Sequence, residues 1–297
     1  MGRTATAKAP PVREPGIARY GVVGNPIAHS MSPEIHALFA RQCKQTLTYE
    51  RLLAPIDGFE EFALALRDSG YLGVNVTTPF KLDAAKLSDD LTPRARLAGA
   101  VNTLKFDDDT IVGDNTDGIG FVRDVTGRLK FKLKDSAILI LGAGGGVCGM
   151  IGALLEEKPK WIAVANRTHG RALELGDEFG VEALSYDEVA IEHFDMVINA
   201  TSASLNQLLP PIDPETFDDC LLAYDLVYDP HPTPFMQLAR KGGAAVVTDG
   251  LGMLVEQAAE AFFVWRGVMP QTLPVHKELR RMLDAMAGTG PMQAVAR

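Results

Sequence analysis

The stretch AILILGAGGG, residues 137–146, decides the fold class. Its first five residues are all apolar, which is typical of a strand buried on both faces of a parallel sheet. The glycines that follow indicate a tight turn, and a helix is predicted directly after them. A buried strand, a glycine turn and a helix in this order are typical of the start of a doubly wound sheet that binds a dinucleotide.

The same glycines predict how a cofactor is held. Gly142 and Gly144 permit the turn and let backbone N–H groups approach a pyrophosphate, and the following helix N-terminus adds partial positive charge. Glycines mark any tight turn, so a loop without a ligand is the alternative. The position between a strand and a helix favours the cofactor.

The residues after the next predicted strand indicate which dinucleotide binds. A site that selects NAD carries an Asp or Glu there to bind the ribose hydroxyls. This chain has Asn166, Arg167 and Thr168 instead. Arg167, helped by Arg171 one turn later, is suited to the doubly charged 2′-phosphate of NADP. The sequence therefore predicts NADP rather than NAD.

The remaining pattern is α/β, because short apolar runs alternate with amphipathic stretches. The second half predicts further strands at 161–165, 196–199, 221–227 and 244–247, and a last strong helix from about Met253 to Trp265. The first half predicts strands at 20–23, 46–53 and 73–76, helices at 33–42 and 58–68, and a hairpin from 100–106 and 110–113 with its tip at 107–109. Ser32 is expected to be the N-cap of the first helix, with Pro33 opening it.

This organisation predicts two domains. Residues 1–18 are rich in proline and basic residues, so we expect a flexible arm, and the tail from Met286 should be similarly loose. Residues 19–118 are expected to form a substrate-binding catalytic domain and 119–252 a Rossmann-like NADP-binding domain. We expect the last helices, about 253–285, to pack back on the first domain.

Composition excludes several functional classes. Lys plus Arg total 29 against 38 Asp plus Glu, a net charge of −9, which disfavours nucleic acid and anionic membrane surfaces as partners. No stretch is apolar for long enough to span a membrane. The three cysteines, Cys43, Cys148 and Cys220, stand far apart, which argues against disulfides and metal sites and fits the cytoplasm.

Polar residues of the first half fall where open α/β sheets hold ligands, at strand ends. Each alone has a structural explanation, but together their hydroxyl and amide groups suit a polyhydroxylated small molecule. Lys81 and Asp117 are the one ionisable pair among them, and a lysine held by a carboxylate can deliver a proton to a new alkoxide. The full set is Ser30, Ser32, Asn75, Thr77, Lys81, Asn102 and Asp117.

These residues lie in sequence blocks that resemble the shikimate dehydrogenase family. The blocks are GNPIAHSMSP (24–33), NVTTPFK (75–81), GAVNTL (99–104), GDNTDGIG (113–120), GAGGG (142–146), NRT (166–168), NATSASL (199–205), DLVYDPHPTP (225–234) and DGLGMLVEQA (249–258). They occur in the family's order from about Tyr20 to Gly267.

The resemblance implies reversible, NADPH-dependent reduction of 3-dehydroshikimate to shikimate, a step in chorismate and aromatic amino-acid biosynthesis. It implies a catalytic pair of Lys81 and Asp117, with no metal, and substrate in a cleft between the domains. The substrate would be held by Ser30, Ser32, Asn75, Thr77, Asn102, Tyr228 and Gln257. NADP would be held by Gly142, Ala143, Gly144, Gly145, Gly146, Asn166, Arg167, Thr168 and Arg171, with Leu226, Gly250 and Met253 beside the nicotinamide.

Two other functions stay open at this point. A quinate/shikimate dehydrogenase that uses NAD should have an acid near residues 166–168, which this chain lacks. An NADP-binding regulator without turnover need not keep Lys81 and Asp117, and this chain has both. The sequence leaves open whether the protein is a monomer or a homodimer.

Overall fold

The computed structural model describes residues 16–107, 110–144 and 146–288. Predictions for residues 1–15, for the hairpin tip at 108–109, for Gly145 and for residues 289–297 lie outside the described residues. The chain divides into two compact units. The first takes the chain up to Arg123, the segment Gly145–Glu156, and Val255–Gln271. The second takes Asp124–Gly144, Glu157–Leu254 and the chain from Thr272.

The first unit is built on a mixed six-stranded sheet. Its strands are β1 (Ala18–Gly24), β2 (Leu47–Leu53), β3 (Tyr71–Val76), β4 (Asp90–Leu91), β5 (Thr103–Asp107) and β6 (Thr110–Asp114). Its helices are α1 (Ser32–Gln42), α2 (Phe59–Asp68), α3 (Lys81–Leu87), α4 (Pro93–Ala98), α5 (Asp117–Arg123) and α6 (Val147–Glu156). The strand order is β2-β1-β3-β5-β6-β4, in which β5 and β6 form the predicted antiparallel hairpin.

The second unit is built on a six-stranded sheet in which all neighbours are parallel. Its strands are β7 (Ala137–Leu141), β8 (Trp161–Ala165), β9 (Glu182–Leu184), β10 (Met196–Asn199), β11 (Leu222–Asp225) and β12 (Val246–Thr248). Its helices are α7 (His169–Phe179), α8 (Tyr186–Val189) and α9 (Pro234–Lys241), with a π-helical turn at Asp124–Arg128 and 3₁₀ turns at Ala203–Asn206 and Pro214–Phe217.

Two further helices complete the chain. They are α10 (Leu251–Arg266) and α11 (Thr272–Gly288). From Val255 on, α10 belongs to the first unit, whereas α11 belongs to the second. The two units thus divide residues 253–285 between them, and they also place α6 with the first sheet.

The strand order of the second sheet is β12-β11-β10-β7-β8-β9. The chain runs from β7 outward to β9 and then restarts on the other side of β7 with β10. The reversal between β7 and β10 is the switch point at which doubly wound sheets bind their ligands. The predicted α/β class and doubly wound second sheet are therefore confirmed.

Each sheet has its own apolar core. In the first unit Phe59 stacks on Phe80 with centroids 5.1 Å apart, and Val74 and Leu104 are fully buried between strands and helices. The indole of Trp265, on α10, stacks on Tyr20 at 4.7 Å and donates to the Leu104 carbonyl at 3.0 Å. In the second unit the whole of β7 is buried, as its uninterrupted apolar sequence predicts.

Three local predictions need correction. The N-cap of α1 is Met31, whose carbonyl accepts from the Ile35 N–H at 3.1 Å, so Ser32 is already helical. Ala18 begins β1 and so does not belong to a flexible arm. Residues from Met286 to Gly288 extend α11, a helix anchored by the buried side chains of Val275, Leu279 and Leu283 at four-residue spacing.

Among the described residues, no helix combines the length and the apolar character needed to cross a membrane.

Candidate active site

Lys81 and Asp117 form an ion pair in the first unit. The Lys81 Nζ lies 2.5 Å from the Asp117 Oδ2, and the two side chains are 24% and 10% exposed. Each is the first residue of a helix, Lys81 of α3 and Asp117 of α5. The pair is therefore largely shielded from solvent but still open to a ligand, as proton transfer to a bound substrate requires.

The β5–β6 hairpin brings Asn102 to this pair. Asn102 directly precedes β5 and Asp117 follows β6, so the Thr103–Asp114 pairing at the base of the hairpin places the two residues side by side. The Asn102 Nδ2 donates to the Asp117 Oδ1 at 2.8 Å. The Asn102 Oδ1 in turn accepts from the Thr116 N–H at 2.8 Å, which fixes the orientation of the carboxamide.

Gln257 reaches the same cluster from α10. Its Oε1 lies 3.4 Å from both the Asn102 Nδ2 and the Thr116 Oγ1. The structure thus joins four of the predicted site residues through hydrogen bonds: Lys81, Asp117, Asn102 and Gln257.

Asn75 meets this cluster from the neighbouring strand, β3. Its Nδ2 donates to the Asn102 carbonyl at 3.2 Å and to the Thr103 Oγ1 at 3.0 Å. Its Oδ1 accepts from the Tyr49 hydroxyl at 2.7 Å. The Asn75 carboxamide is therefore held on both sides, by the partly buried Tyr49 at Oδ1 and by the buried Asn102 and Thr103 at Nδ2.

Ser30 and Ser32 form a second polar group at the start of α1. The Ser30 hydroxyl donates to the Ser32 Oγ at 3.2 Å and accepts from the Ser32 N–H at 3.3 Å. The Arg51 Nε donates to the Ser30 carbonyl at 2.7 Å, and its guanidinium pairs with Glu34. Arg51 thus ties the serine loop to β2.

Thr77 stands at the carboxyl end of β3. Its N–H donates to the Val23 carbonyl at 2.9 Å, which continues the pairing of β1 with β3. Its carbonyl accepts from the Phe80 N–H at 3.0 Å, which forms the turn into α3. Thr77 therefore lies between the strand that carries Asn75 and the helix that begins at Lys81.

A buried aromatic group packs beside Asn75. The His36 ring stacks on Tyr49 with centroids 4.1 Å apart and lies 5.6 Å from the Trp265 ring. Burial lowers the pKa of His36 to about 3, and the nearby Asn75 side chain opposes this only in part. Burial also raises the pKa of Tyr49 well above its usual value. Both rings are therefore neutral near pH 7.

A charged network supports the segment that leads to Asp117. Asp114 accepts hydrogen bonds from Arg94 through both carboxylate oxygens and one from the Thr92 hydroxyl. Burial alone would raise the pKa of Asp114, but these bonds outweigh it and hold the pKa below its usual value. Arg94 also contacts Glu260 of α10, so one ion cluster joins the end of β6 to α10 through two buried carboxylates.

The glycine loop between β7 and α6 begins at Gly142, and the structure describes it except at Gly145. Gly142 has φ +112°, and a Cβ there would lie 3.1 Å from the Ala200 carbonyl group, so glycine is required for both conformation and space. A Cβ at Gly144 or Gly146 would meet nothing within 4 Å. The loop therefore has open space at both of these glycines.

The segment after β8 organises this loop. The Ala143 N–H donates to the Asn166 Oδ1 at 3.2 Å, and the Asn166 Nδ2 donates to the Thr168 carbonyl at 2.9 Å. Arg167 and Arg171 are exposed, and no acidic side chain stands at residues 166–171. Two cations without an acid fit a nucleotide that carries a 2′-phosphate.

The other predicted cofactor residues lie after β11 and around the start of α10. The Leu226 N–H donates to the Asn199 carbonyl at 2.9 Å, and the Gly250 N–H donates to the Val227 carbonyl at 3.2 Å. The Met253 N–H donates to the Tyr224 hydroxyl at 3.1 Å. Tyr228 lies in the same loop as Leu226 and is partly exposed.

A buried carboxylate fixes the loop that carries Leu226 and Tyr228. Asp225 accepts hydrogen bonds from the Asn199 carboxamide and from the Ser204 and Thr233 hydroxyls, and burial raises its pKa. In the described part of the chain, no group of three or more His, Cys, Asp or Glu side chains could hold a metal ion.

Sequence reasoning missed four residues that hold the first-unit site together: Tyr49, Arg51, Thr103 and Thr116. Thr103 and Thr116 lie inside the blocks GAVNTL and GDNTDGIG, next to residues that were selected for their amide or carboxylate groups. Tyr49 and Arg51 are two residues apart on β2. Side chains at this spacing point to the same face of a strand, so the strand pattern would have placed them together.

Family models for shikimate dehydrogenases match three parts of the chain. The substrate-binding domain model matches residues 22–104, the shikimate/quinate 5-dehydrogenase model matches 125–210, and the shikimate 5′-dehydrogenase C-terminal domain model matches 250–280.

Individual relatives match over most of the chain. Proteins named shikimate dehydrogenase (NADP(+)) from Herminiimonas arsenicoxydans and Nitrosospira multiformis are each 52% identical, over 89% and 90% of this chain and 98% of their own length. Among solved structures, an Ael1 enzyme from Pseudomonas putida matches with TM-score 0.85 and 45% identity over 88% of this chain and 98% of that one.

Another solved structure contains both ligands. Shikimate 5-dehydrogenase from Thermus thermophilus, in complex with NADP(H) and shikimate, matches with TM-score 0.82 and 33% identity over 89% of this chain and 99% of that one. The sequence blocks, the strand order of both sheets and these matches agree, and the chain belongs to the shikimate dehydrogenase family.

Proposed function

We propose that this enzyme catalyses the reversible, NADPH-dependent reduction of 3-dehydroshikimate to shikimate. The observation that carries the proposal is the Lys81–Asp117 ion pair, held at 2.5 Å inside a cluster of amide and hydroxyl groups. Proton transfer to a ketone oxygen needs such a pair, and a polyhydroxylated ring needs such a cluster. The names of the 52% identical relatives support the same reaction.

NADPH, when bound, supplies the hydride for the carbonyl carbon. Its pyrophosphate would lie against the loop of Gly142, Ala143, Gly144, Gly145 and Gly146, in which a Cβ at Gly144 or Gly146 would meet nothing within 4 Å. Arg167 and Arg171 would bind the 2′-phosphate, with Asn166 and Thr168 shaping the segment between them. Leu226, Gly250 and Met253 would border the nicotinamide ring.

Lys81 carries the proton side of the reaction. In reduction its ammonium Nζ gives a proton to the oxygen as the C–O double bond becomes a single bond, and in oxidation the neutral amine takes that proton back. Asp117 holds the Nζ in place through its Oδ2, and Asn102 holds Asp117 through its Oδ1. Holding these groups in attack geometry supplies much of the rate.

The remaining residues bind the substrate. The Ser30 and Ser32 hydroxyls are suited to the carboxylate, and Arg51 keeps their loop in place. The ring hydroxyls would be met by the side chains of Asn75, Thr77, Asn102, Tyr228 and Gln257. We further propose that the enzyme works in the cytoplasm on small molecules, without nucleic acid or a membrane.

The test is turnover of the purified protein with shikimate or quinate, each paired with NADP or NAD, followed by the absorbance of the reduced nicotinamide. We expect strong turnover with shikimate and NADP alone. Turnover mainly with quinate and NAD would overturn both the substrate and the role of Arg167. No turnover in any pairing would overturn the proposed reaction and return the chain to a binding role.

A further inference from the structure

One continuous chain of hydrogen bonds crosses the first-unit site. The Tyr49 hydroxyl donates to the Asn75 Oδ1 at 2.7 Å, and the Asn75 Nδ2 donates to the Thr103 Oγ1 at 3.0 Å. The Thr103 hydroxyl then donates to the Asn102 Oδ1 at 2.9 Å, and the Asn102 Nδ2 donates to the Asp117 Oδ1 at 2.8 Å. All four bonds donate in the same direction, from the phenol toward the carboxylate.

The direction is fixed by chemistry at each link. A hydroxyl has one hydrogen, so while Thr103 donates to Asn102 it can only accept from Asn75. A carboxamide has its donor and acceptor on different atoms, so reversing one link would set two donors or two acceptors against each other. Thr103 is fully buried and Asn75 and Asn102 are nearly so, which leaves water little access to replace a lost bond.

We propose that Thr103 and Tyr49 are positioning residues for the reaction. Neither touches the reacting atoms in this assignment. Thr103 orients and polarises Asn102, which holds Asp117 and through it the proton-transferring Lys81. Tyr49 orients Asn75, whose Oδ1 has a second lone pair with which to accept a hydrogen bond from the substrate. The inference rests on the proposed function, because it assigns these roles within that reaction.

The two ends of the chain should differ in their kinetic effect. Replacing the Thr103 hydroxyl removes a donor from the Asn102 Oδ1 and an acceptor from the Asn75 Nδ2. The Thr116 N–H still donates to Asn102 at 2.8 Å, so the side chain stays in place while its bond to Asp117 loses polarisation. The loss therefore falls mainly on kcat.

Loss of the Tyr49 hydroxyl affects Asn75 first. In Tyr49→Phe the ring would still stack on His36, with centroids 4.1 Å apart as in the wild type. The substitution therefore removes one hydrogen-bond donor and little packing. Asn75 retains its bonds to the Asn102 carbonyl and to Thr103. The loss therefore falls mainly on the KM for shikimate.

The test compares Thr103→Val, which keeps the shape but not the hydroxyl, with Thr103→Ser, which keeps the hydroxyl. Tyr49→Phe is compared with Tyr71→Phe, because the Tyr71 hydroxyl bonds to Glu50 on the same sheet but outside the chain. For each full-length variant, kcat and the KM values for shikimate and NADP are measured, and circular dichroism and a thermal melt report folding.

We expect Thr103→Val to lower kcat about tenfold to a hundredfold, the effect of leaving buried polar groups without a partner, and Thr103→Ser to stay within about threefold of wild type. Tyr49→Phe should raise the KM for shikimate about tenfold, Tyr71→Phe should not, and the KM for NADP should change in neither. Both positions act through the same chain of hydrogen bonds. The Tyr49→Phe/Thr103→Val double variant should therefore lose less kcat/KM than the product of the two single-variant losses.

Either of two results would overturn the inference. The first is a Thr103→Ser variant as impaired as Thr103→Val, which would assign the effect to packing. The second is wild-type kcat and KM in both Thr103→Val and Tyr49→Phe. If Thr103→Val fails to fold, the Thr103→Ser and Tyr49→Phe measurements still decide. Failure of the proposed function is distinguishable, since the wild-type enzyme itself would then not oxidise shikimate.

Discussion

Asp117 divides its two carboxylate oxygens between Asn102 and Lys81. The Oδ1 accepts from the carboxamide at 2.8 Å, and the Oδ2 accepts from the ammonium at 2.5 Å. A carboxylate held at both oxygens cannot rotate away from the lysine. The fold therefore sets the position of the proton donor before a substrate binds. Such orientation in advance increases the rate of the reaction.

Lys81→Ala should abolish most turnover without affecting cofactor binding. Removal of a general acid–base group lowers kcat by about 10²- to 10⁴-fold. The dissociation constant for NADP, measured by titration, should stay within about twofold of wild type, because an effect confined to the transition state leaves ground-state binding unchanged.

Lys86→Ala is the matched control for this experiment. Lys86 lies on the same helix, α3, with a side chain that is 79% exposed, so its loss should leave kcat unchanged. Near-normal turnover of Lys81→Ala would refute the assignment of the proton to Lys81.

Gly144→Ala and Gly142→Ala should separate cofactor binding from folding. A Cβ at Gly144 meets nothing in the protein, so we expect wild-type stability but weaker NADP binding, because the methyl group would occupy the space of the pyrophosphate. At Gly142 the positive φ and the Ala200 carbonyl should lower the free energy of unfolding by about 1–3 kcal/mol.

Urea unfolding and NADP titration of both glycine variants would check this pair. Unchanged NADP affinity in Gly144→Ala would contradict the approach of a pyrophosphate to this loop.

Arg167→Ala should raise the KM for NADP by about tenfold to a hundredfold, the effect of losing hydrogen bonds to a charged group. Activity with NAD, which lacks the 2′-phosphate, should change little. The ratio of activity with NADP to activity with NAD should therefore fall. Arg240→Ala is the control, because Arg240 is an exposed arginine on α9 outside the proposed site. An equal rise in the KM for both dinucleotides would indicate that Arg167 does not read the 2′-phosphate.

His36 should make the stability of the first unit depend on pH. The folded protein keeps His36 neutral down to about pH 3, whereas the unfolded chain binds a proton below about pH 6.5. The unfolded state therefore binds more protons in this window, and stability is lost as the pH falls through it. Between pH 7.5 and pH 5 this loss is about 2 kcal/mol.

A His36→Phe variant should lack this part of the pH dependence. Urea unfolding is followed by Trp265 fluorescence in a Trp161→Phe background, so that the signal reports the first unit. At pH 8 the protonation of His36 does not contribute to stability. The difference in unfolding free energy between His36→Phe and its parent at this pH therefore reports the change in packing alone. Identical pH slopes for His36→Phe and its parent would exclude a buried neutral histidine.

The sequence predicted regular elements well where one signal dominated. The strands at 137–141, 161–165 and 196–199 match the structure at both ends, because each contains a short run of consecutive apolar residues. It missed β4 and β9, which have two and three residues and too little length for a period. Ser32 was misplaced as an N-cap because its hydroxyl partner, Ser30, lies two residues back rather than in the helix.

The sequence predicted which residue types form the site, but not which hydrogen bonds join them. Lys81, Asp117, Asn102 and Gln257 were chosen from their chemistry and from the family resemblance, and the structure joins them. The roles of Tyr49 and Thr103 could not be read from the sequence, because a buried phenol or hydroxyl looks like ordinary strand composition until its partners are known.

One end of the β5–β6 hairpin holds site residues, and the other end can vary in sequence without disturbing them. Asn102 and Asp117 both depend on the Thr103–Asp114 pairing at the base, whereas the Asp107–Thr110 pairing lies at the opposite end of the ladder. Changes at the exposed Asp107 and Thr110 would alter the surface and leave the base pairing in place. The hairpin thus uncouples the evolution of the protein's exterior from that of its reaction centre.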